Sequence, residues 1–421
     1  MSIINSVIGL EILDSRGNPT VEAEIQLKSG AIGRASVPSG ASTGSKEAVE
    51  LRDTGSKRFA GRGVLRAVSH INTTIAKEIN NNQFNFQSEL DTMLIQLDGT
   101  TNKNSLGANA LLAVSLAFAR AQAMELGCDL ALHVSKQGPM SMPMPMFNFI
   151  NGGAHANNNL SIQEFMIIPV GAQTFSEAIQ WGAEIFYALK KIINDLGYLT
   201  TVGDEGGFAP PLRSNQEALS ILCQAVELAG YSLKNQIAFA LDCASTEYYN
   251  ENEKTYQIDP NTQISSEQHV DYLSELCNLY PIISIEDGMS ELDIFGWKLL
   301  TSRLGSTTQL VGDDLFVTNE KIFQEGINQK LANAILIKVN QIGTLTETLN
   351  TIALAKKNSY KTIISHRSGE TEDTFISDLA VGIDAKQIKT GSLSRTDRTA
   401  KYNQLLRLER RYKISLANDF K

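Results

Sequence analysis

The sequence predicts an α/β protein in two parts. An N-terminal α+β domain, a three-stranded meander plus helices, covers residues 1–137, and an irregular TIM-type barrel of ββαα(βα)6 order covers residues 138–421. Three observations lead there. Strand-like runs precede helical periodicity in the first part, as in an α+β domain. A Gly-, Pro- and Met-rich stretch at 138–145 then breaks both patterns. Beyond it, a hairpin and two helices are followed by six short β-rich runs, each leading into a helical segment. Eight strands in that order favour a closed barrel over an open sheet.

Residues 3–13 and 20–27 alternate as strands do, and Ser29-Gly30 before 31–37 supplies a hairpin turn. The loop 38–44, PSGASTG, is too small and polar to pack and lacks the spacing of a Walker phosphate loop, so it reads as a mobile connector or a functional lid. Helical periodicity follows at 64–79, 87–97 and 106–126, the last stopped by Gly127. The methionines of 138–145 suit gap-filling in a core. Strands at 146–150 and 164–170 leave too little chain between them for a crossover helix, which predicts an antiparallel hairpin. Two helices then open with capping boxes, Thr174 with Glu177 and Ser214 with Glu217. The six remaining strands are placed at 237–242, 282–287, 309–313, 334–340, 362–366 and 387–390.

A formal net charge of -9 argues against a general nucleic-acid or anionic-membrane surface, so any anionic ligand needs a local cationic site. The four cysteines show neither a CxxC pair nor zinc-ligand spacing, which predicts reduced thiols in a cytoplasmic protein. Glu11 and Asp14 interrupt the N-terminal apolar run, unlike a signal peptide. The Ala-rich segment 108–119 is too short to span a membrane and runs into Arg120 and Glu125.

The chemistry is expected at the C-terminal strand ends. Asp242, Glu286 and Asp313 each end an apolar run there. Converging at the barrel mouth they would repel one another, so a hard divalent cation accounts for them, and oxygen-only ligation favours Mg²⁺ over zinc. The next three strands end in Lys338, in His366-Arg367-Ser368 and in Lys389. Arginine followed by serine suits a phosphate or carboxylate, because the guanidinium fork donates two parallel hydrogen bonds. Lys338, inside the apolar run ILIKVNQ, is an ion-pair partner or a base. Glu205, in the loop VGDEGGF, is a candidate general acid whose pKa Asp204 would raise; the alternative is a solvated turn.

Long, ordered motifs run along nearly the whole chain: LDSRGNPTVEAE from Leu13, SGASTG from Ser39, INGGAHANN from Ile150, QEFMIIPVGA from Gln163, VGDEGGFAP from Val202, SIEDG from Ser284, VGDDLFVTN from Val311, ILIKVNQIGTLTET from Ile335, SHRSGETEDTF from Ser365 and KTGSLSRTDRTAKYNQLLR from Lys389. In these the chain resembles the enolases, the phosphopyruvate hydratases of glycolysis, in their bacterial type. The resemblance implies reversible dehydration of 2-phospho-D-glycerate to phosphoenolpyruvate. It implies a first Mg²⁺ on Asp242, Glu286 and Asp313, and a second, bound with the substrate, brought by the Ser42 loop. Lys338 resembles the base at C2 and Glu205 the acid at the C3 hydroxyl. His155, Gln163, Glu164, Arg367, Ser368 and Lys389 match substrate contacts, with His366 near the substrate. The cations around Lys338 would lower its pKa towards the working range.

The same resemblance implies a homodimer or an octamer, and a cytoplasmic protein that is also secreted or surface-displayed. It extends to plasminogen, captured by the terminal Lys421 beside Asp419, or an RNA degradosome as partner. A racemase or cycloisomerase of the wider superfamily is the rival enzyme reading. Those commonly carry a KxK base motif on the second barrel strand, and residues 164–170 contain no lysine.

Overall fold

The structure, a computed structural model, describes residues 2–41, 44–156, 158–259 and 261–420, without the side chain of His155. The chain opens with β1 (Ser2–Leu13), β2 (Pro19–Leu27) and β3 (Ile32–Ser36), the antiparallel meander read from the alternation. Val21, Ala23, Ile25 and Leu27 of β2 all point into the core. Gly30 makes the predicted turn with φ +90°, its N–H bonded to Leu27 O. The predicted helix at 64–79 is α1 (Leu65–His70) and α2 (Ala76–Ile79) joined by a π-helical stretch, Ile71–Ile75. Within that stretch the Asn72 side chain exchanges two hydrogen bonds, 2.7 and 3.0 Å, with the backbone of Gly9 on β1. A short β4 (Gln83–Phe84) adds a fourth strand to the sheet beside β1, which apolar alternation alone does not reveal.

Helices α3 (Gln87–Asp98), α4 (Ala108–Glu125) and α5 (Leu130–Ser135) complete this part; the six-residue α5 is too short to show a period. Helix α4 lies directly on the sheet. A Cβ added to Gly33 of β3 would stand 2.0 Å from Ala117 O and 2.3 Å from Ala121 N.

The barrel begins with β5 (Met144–Asn151) and β6 (Glu164–Ile168), then α6 (Phe175–Asp195), α7 (Asn215–Leu228) and β7 (Ala238–Asp242). Thr174 and Ser214 cap α6 and α7 as expected, but Glu177 and Glu217 reach one residue further back, to the N–H groups of Gln173 and Arg213. A small sheet of β8 (Tyr249–Asn250), β9 (Thr255–Asp259) and β10 (Thr262–Ser265) is inserted next. Tyr256 pins it by donating to Asp293 Oδ2 at 2.8 Å.

Regular units follow: α8 (Ser266–Leu279), β11 (Ile282–Glu286), α9 (Ile294–Leu304), β12 (Gln309–Gly312), α10 (Glu320–Asn328), β13 (Ala334–Ile337), α11 (Val339–Ile342), α12 (Leu345–Lys357), β14 (Lys361–Ser365), α13 (Phe375–Gly382), β15 (Lys386–Lys389) and α14 (Thr396–Tyr412). Among the described residues the barrel closes as β11-β12-β13-β14-β15-β5-β6-β7.

Every neighbouring pair in the barrel is parallel except those of β6, which runs antiparallel to both β5 and β7. The predicted hairpin is therefore part of the barrel wall, with one strand reversed. Methionines fill much of the interior, where Met144, Met146 and Met166 pack with Ile168, Leu336 and Ile363. The C-terminal strap closes the floor. Ala417 N bonds Met142 O, the Asn418 side chain donates to Val170 O, and Leu416 and Phe420 pack on the interior cluster.

Candidate active site

The strand ends deliver the charged groups to one mouth. Asp242 and Glu286 are the last residues of β7 and β11, and Asp313 follows β12 directly. Because β6 is reversed, its first residue, Glu164, stands in register with Asp242 on one side and Asn151 on the other. Lys389 ends β15, and His366, Arg367 and Ser368 follow β14. The predicted strand around Lys338 ends earlier than expected. Strand β13 stops at Ile337, and Lys338 is the N-cap of the four-residue helix α11. Gln163, Glu164, Glu205, Asp242, Asp313, Lys338, His366, Arg367, Ser368 and Lys389 line one cavity. His155 ends a 3-10 turn, Gly153–His155, and its side chain, like Ser42 and Lys421, lies outside the described residues.

The cations and carboxylates are interleaved. Lys389 Nζ lies 2.9 Å from Asp242 Oδ2, 2.9 Å from Glu286 Oε1 and 3.3 Å from Glu164 Oε1. Burial pulls the Lys389 pKa down, but those three carboxylates outweigh it and hold the amine well above its ordinary value. Lys338 pairs with Asp313. Burial, Arg367 and Lys389 favour its neutral form, yet the Asp313 charge dominates and raises its pKa. The lowering anticipated from neighbouring cations is thus reversed by a carboxylate at contact distance.

The predicted metal triad is divided between these two ammonium groups. Among the described residues, the groups of three whose ligand atoms lie within 4.8 Å of one another are instead Asp287 with Asp313 and Asp314, and Glu164 with Glu205 and His366. The two oxygens of Asp287 accept the N–H groups of Asp313 and Asp314, so Asp287 positions that segment. A cation nonetheless fits the donor set. Glu286 Oε2 is buried and accepts no hydrogen bond within the described residues, and burial and then Asp242 push the Glu286 carboxyl well above its usual range. An all-oxygen set under mutual repulsion matches a hard divalent ion.

Glu205 is 3% exposed and accepts a 3.0 Å hydrogen bond from Asn148 Nδ2 on β5. Its carboxylate neighbour is Glu164 rather than the half-buried Asp204. Burial and then the Glu205 charge push the Glu164 carboxyl well above the carboxylate range. His366 Nε2 lies 3.4 Å from Glu205 Oε2. Burial lowers the His366 pKa to about 3, with Arg398 acting in the same direction against Glu205. The imidazole is therefore neutral at working pH.

Arg367 donates 2.9 and 3.1 Å hydrogen bonds to the two oxygens of Glu47, and a third, 3.1 Å, to Asn340. Ser39 and Gly369 exchange backbone hydrogen bonds, and Ala41 N donates to Ser368 Oγ at 2.7 Å. The described residues of the PSGASTG loop thus dock on the phosphate-type segment. Sequence reasoning missed Glu47, Asn148, Asn340 and Arg398. For Asn148 a signal existed, a lone amide within the apolar run MFNFI, the same kind that singled out Lys338.

The family model described as "Enolase, N-terminal domain" matches residues 4–134, and "Enolase, C-terminal TIM barrel domain" matches 139–416. The chain belongs to the enolase family. Enolases are hydro-lyases, and matches along nearly the whole chain imply the phosphopyruvate hydratase reaction of glycolysis, the dehydration of 2-phospho-D-glycerate to phosphoenolpyruvate. Enolases use Mg²⁺, in accord with the acidic mouth. Among the described residues no helix is long and apolar enough to cross a membrane.

Proposed function

We propose that this enolase removes the C2 proton of 2-phosphoglycerate with Lys338 and protonates the departing C3 hydroxyl with Glu205. One observation carries the reading: Lys338, the N-cap of α11 just after β13, and Glu205, beside Asn148 of β5, line the same cavity. Asp242, Glu286 and Asp313 would hold a first Mg²⁺, and Ser42 would contribute to a second that binds with substrate. When bound, the ions supply fixed positive charge where negative charge develops on the substrate carboxylate. Were Asp313 engaged as a ligand, its hold on Lys338 would weaken, and burial, Arg367 and Lys389 would then favour the neutral amine that a base requires.

Glu205 lies beside Glu164; burial and then the Glu205 charge push the Glu164 carboxyl well above the carboxylate range, so a proton held on Glu164 is close at hand for the acid. Arg367 and Ser368 bind the phosphate, and His155, Gln163, Glu164 and Lys389 complete the substrate contacts, with His366 adjacent.

The division into a capping domain, 1–137, and a catalytic barrel, 138–421, belongs to the same proposal. So do the bacterial type, the homodimer or octamer, and a cytoplasmic location with secretion or surface display. Plasminogen or an RNA degradosome as partner is the further role proposed. Light scattering on the purified chain tests the oligomer, and loss of plasminogen binding on deleting Lys421 tests that contact. The reaction is tested by ultraviolet detection of phosphoenolpyruvate with and without Mg²⁺. Turnover that needs the metal is expected, and folded protein inactive with Mg²⁺ present would overturn the assignment.

A further inference from the structure

The motif SRTDR, between β15 and the first turn of α14, has no part in the reaction as described, yet its Arg398 is fully buried beside the site. Arg398 Nη1 donates to His366 Nδ1 and, at 2.6 Å, to Arg367 O. Nη2 donates to Ser368 O at 2.6 Å and to Asp204 O at 3.0 Å. Asp397 Oδ2, 2.7 Å from Nε, balances the charge. One guanidinium therefore holds three consecutive residues of the substrate-facing segment and the residue preceding Glu205.

Neighbouring groups repeat the tie. Ser392 N donates to Glu205 O at 2.9 Å, and Ser394 Oγ donates to Gly206 O at 2.6 Å. Three successive carbonyls of the acid loop thus accept from residues 392–398. The fit depends on Gly391, where a Cβ would stand 2.7 Å from both Arg398 Cδ and Glu205 O. A guanidinium has no acceptor, so His366 Nδ1 must accept, and the proton of the neutral ring sits on Nε2, 3.4 Å from Glu205 Oε2 but outside hydrogen-bond geometry.

We infer that Arg398 is a positioning residue that sets His366 as the Nε2–H tautomer aimed at Glu205 and locks the acid loop to the phosphate-binding segment. Loss of the hydroxyl then depends on it, while proton removal by Lys338 does not. The inference rests on Glu205 as the acid.

The variants R398K and R398Q of the full chain separate these roles, because an ammonium cannot span acceptors that a planar fork reaches together. Three readouts are compared with wild type: phosphoenolpyruvate formation, exchange of the C2 proton of 2-phosphoglycerate in D₂O, and the ¹⁵N signal of His366, assigned among five histidines. At saturating 2-phosphoglycerate turnover should fall more than about tenfold while exchange changes by less than about threefold, any loosening of Arg367 and Ser368 appearing in KM. The His366 signal should move from one tautomer to a mixture. Parallel loss of exchange and turnover in R398K, with E205Q separating the two, or an unchanged tautomer, would overturn the inference. Should R398Q not fold, R398K decides, since it keeps the charge. If Glu205 is not the acid, E205Q loses exchange and turnover equally, whereas the tautomer change in R398K still reports on Arg398.

Discussion

Glu47 of the N-terminal part grips Arg367 of the barrel through two hydrogen bonds, 2.9 and 3.1 Å, with both side chains at most 9% exposed. The same carboxylate accepts the N–H of Gly44 at 3.0 Å, so one anion joins the glycine-rich loop to the phosphate-type arginine. Breaking a buried ion pair by removing one partner costs about 3–5 kcal/mol, because the other charge is left uncompensated. Glu47→Ala should lower the unfolding midpoint accordingly. Inorganic phosphate should restore part of the loss by supplying the missing counter-charge, raising the Tm of the variant more than that of wild type. Equal phosphate increments would mean that Arg367 does not need Glu47 as its counter-ion.

The division of labour at the site predicts unequal variants. Lys338→Ala should abolish C2 proton exchange, a loss on the order of 10²–10⁴ or more for a missing general base. Glu205→Gln should retain measurable exchange while losing turnover. NMR in D₂O reads both, and an equal loss of exchange in the two would show that base and acid are wrongly assigned.

Gly33 marks the closest approach of sheet and helix in the N-terminal part. A methyl group there has no side chain to displace, since the obstructing atoms are backbone of α4. Gly33→Ala should destabilise by about 1–3 kcal/mol or more through overpacking. Chemical denaturation checks this, and a variant within about 0.5 kcal/mol of wild type would contradict the packing described.

Asp378 provides a pH test away from the mouth. Burial pushes its carboxyl up to about 6 against the pull of Arg120, while Gln404 donates to both oxygens at 3.2 Å. Its folded pKa exceeds the unfolded reference, so the folded state holds the proton more tightly. The stability this contributes is present below pH ~4 and lost as the pH rises through about 6. Asp378→Asn, which never ionises, should exceed wild type by up to about 3 kcal/mol at pH 8 and match it near pH 4. Urea midpoints at the two values measure the difference, and a gain that is the same at both would rule the carboxyl out as its cause.

Much of the barrel was legible because parallel strands buried on both faces read as short apolar runs ending in a polar residue, as at Ala238–Asp242 and Ile282–Glu286. The end of β13 was not, since Val339 and Ile342 continue the apolar composition through a helix of four residues, too short to show its period. The insert β8–β10 went unseen because its strands are two to five residues long and rich in polar side chains. At the site, residue types were legible but pairings were not. That Asp313 faces Lys338, or Glu164 faces Glu205, depends on how side chains from separate strand ends and a loop turn toward one another at the mouth.

The reversed strand also bears on how the molecule assembles. A parallel neighbour can pair only after a crossover helix has been spanned, whereas β5 and β6 are joined by a short connection and meet as a hairpin, at lower loop-closure cost. Amides of residues 144–168 should accordingly gain protection in pulse-labelled hydrogen exchange before those of 361–389, and the opposite order would refute this sequence of events. Asn151 and Glu164, opposite each other across that hairpin, would then be in register before Lys389 arrives to meet them. In that order Glu164, the first carboxylate of the rim, would be in place well before the chain's own cation, Lys389, comes to pair with it.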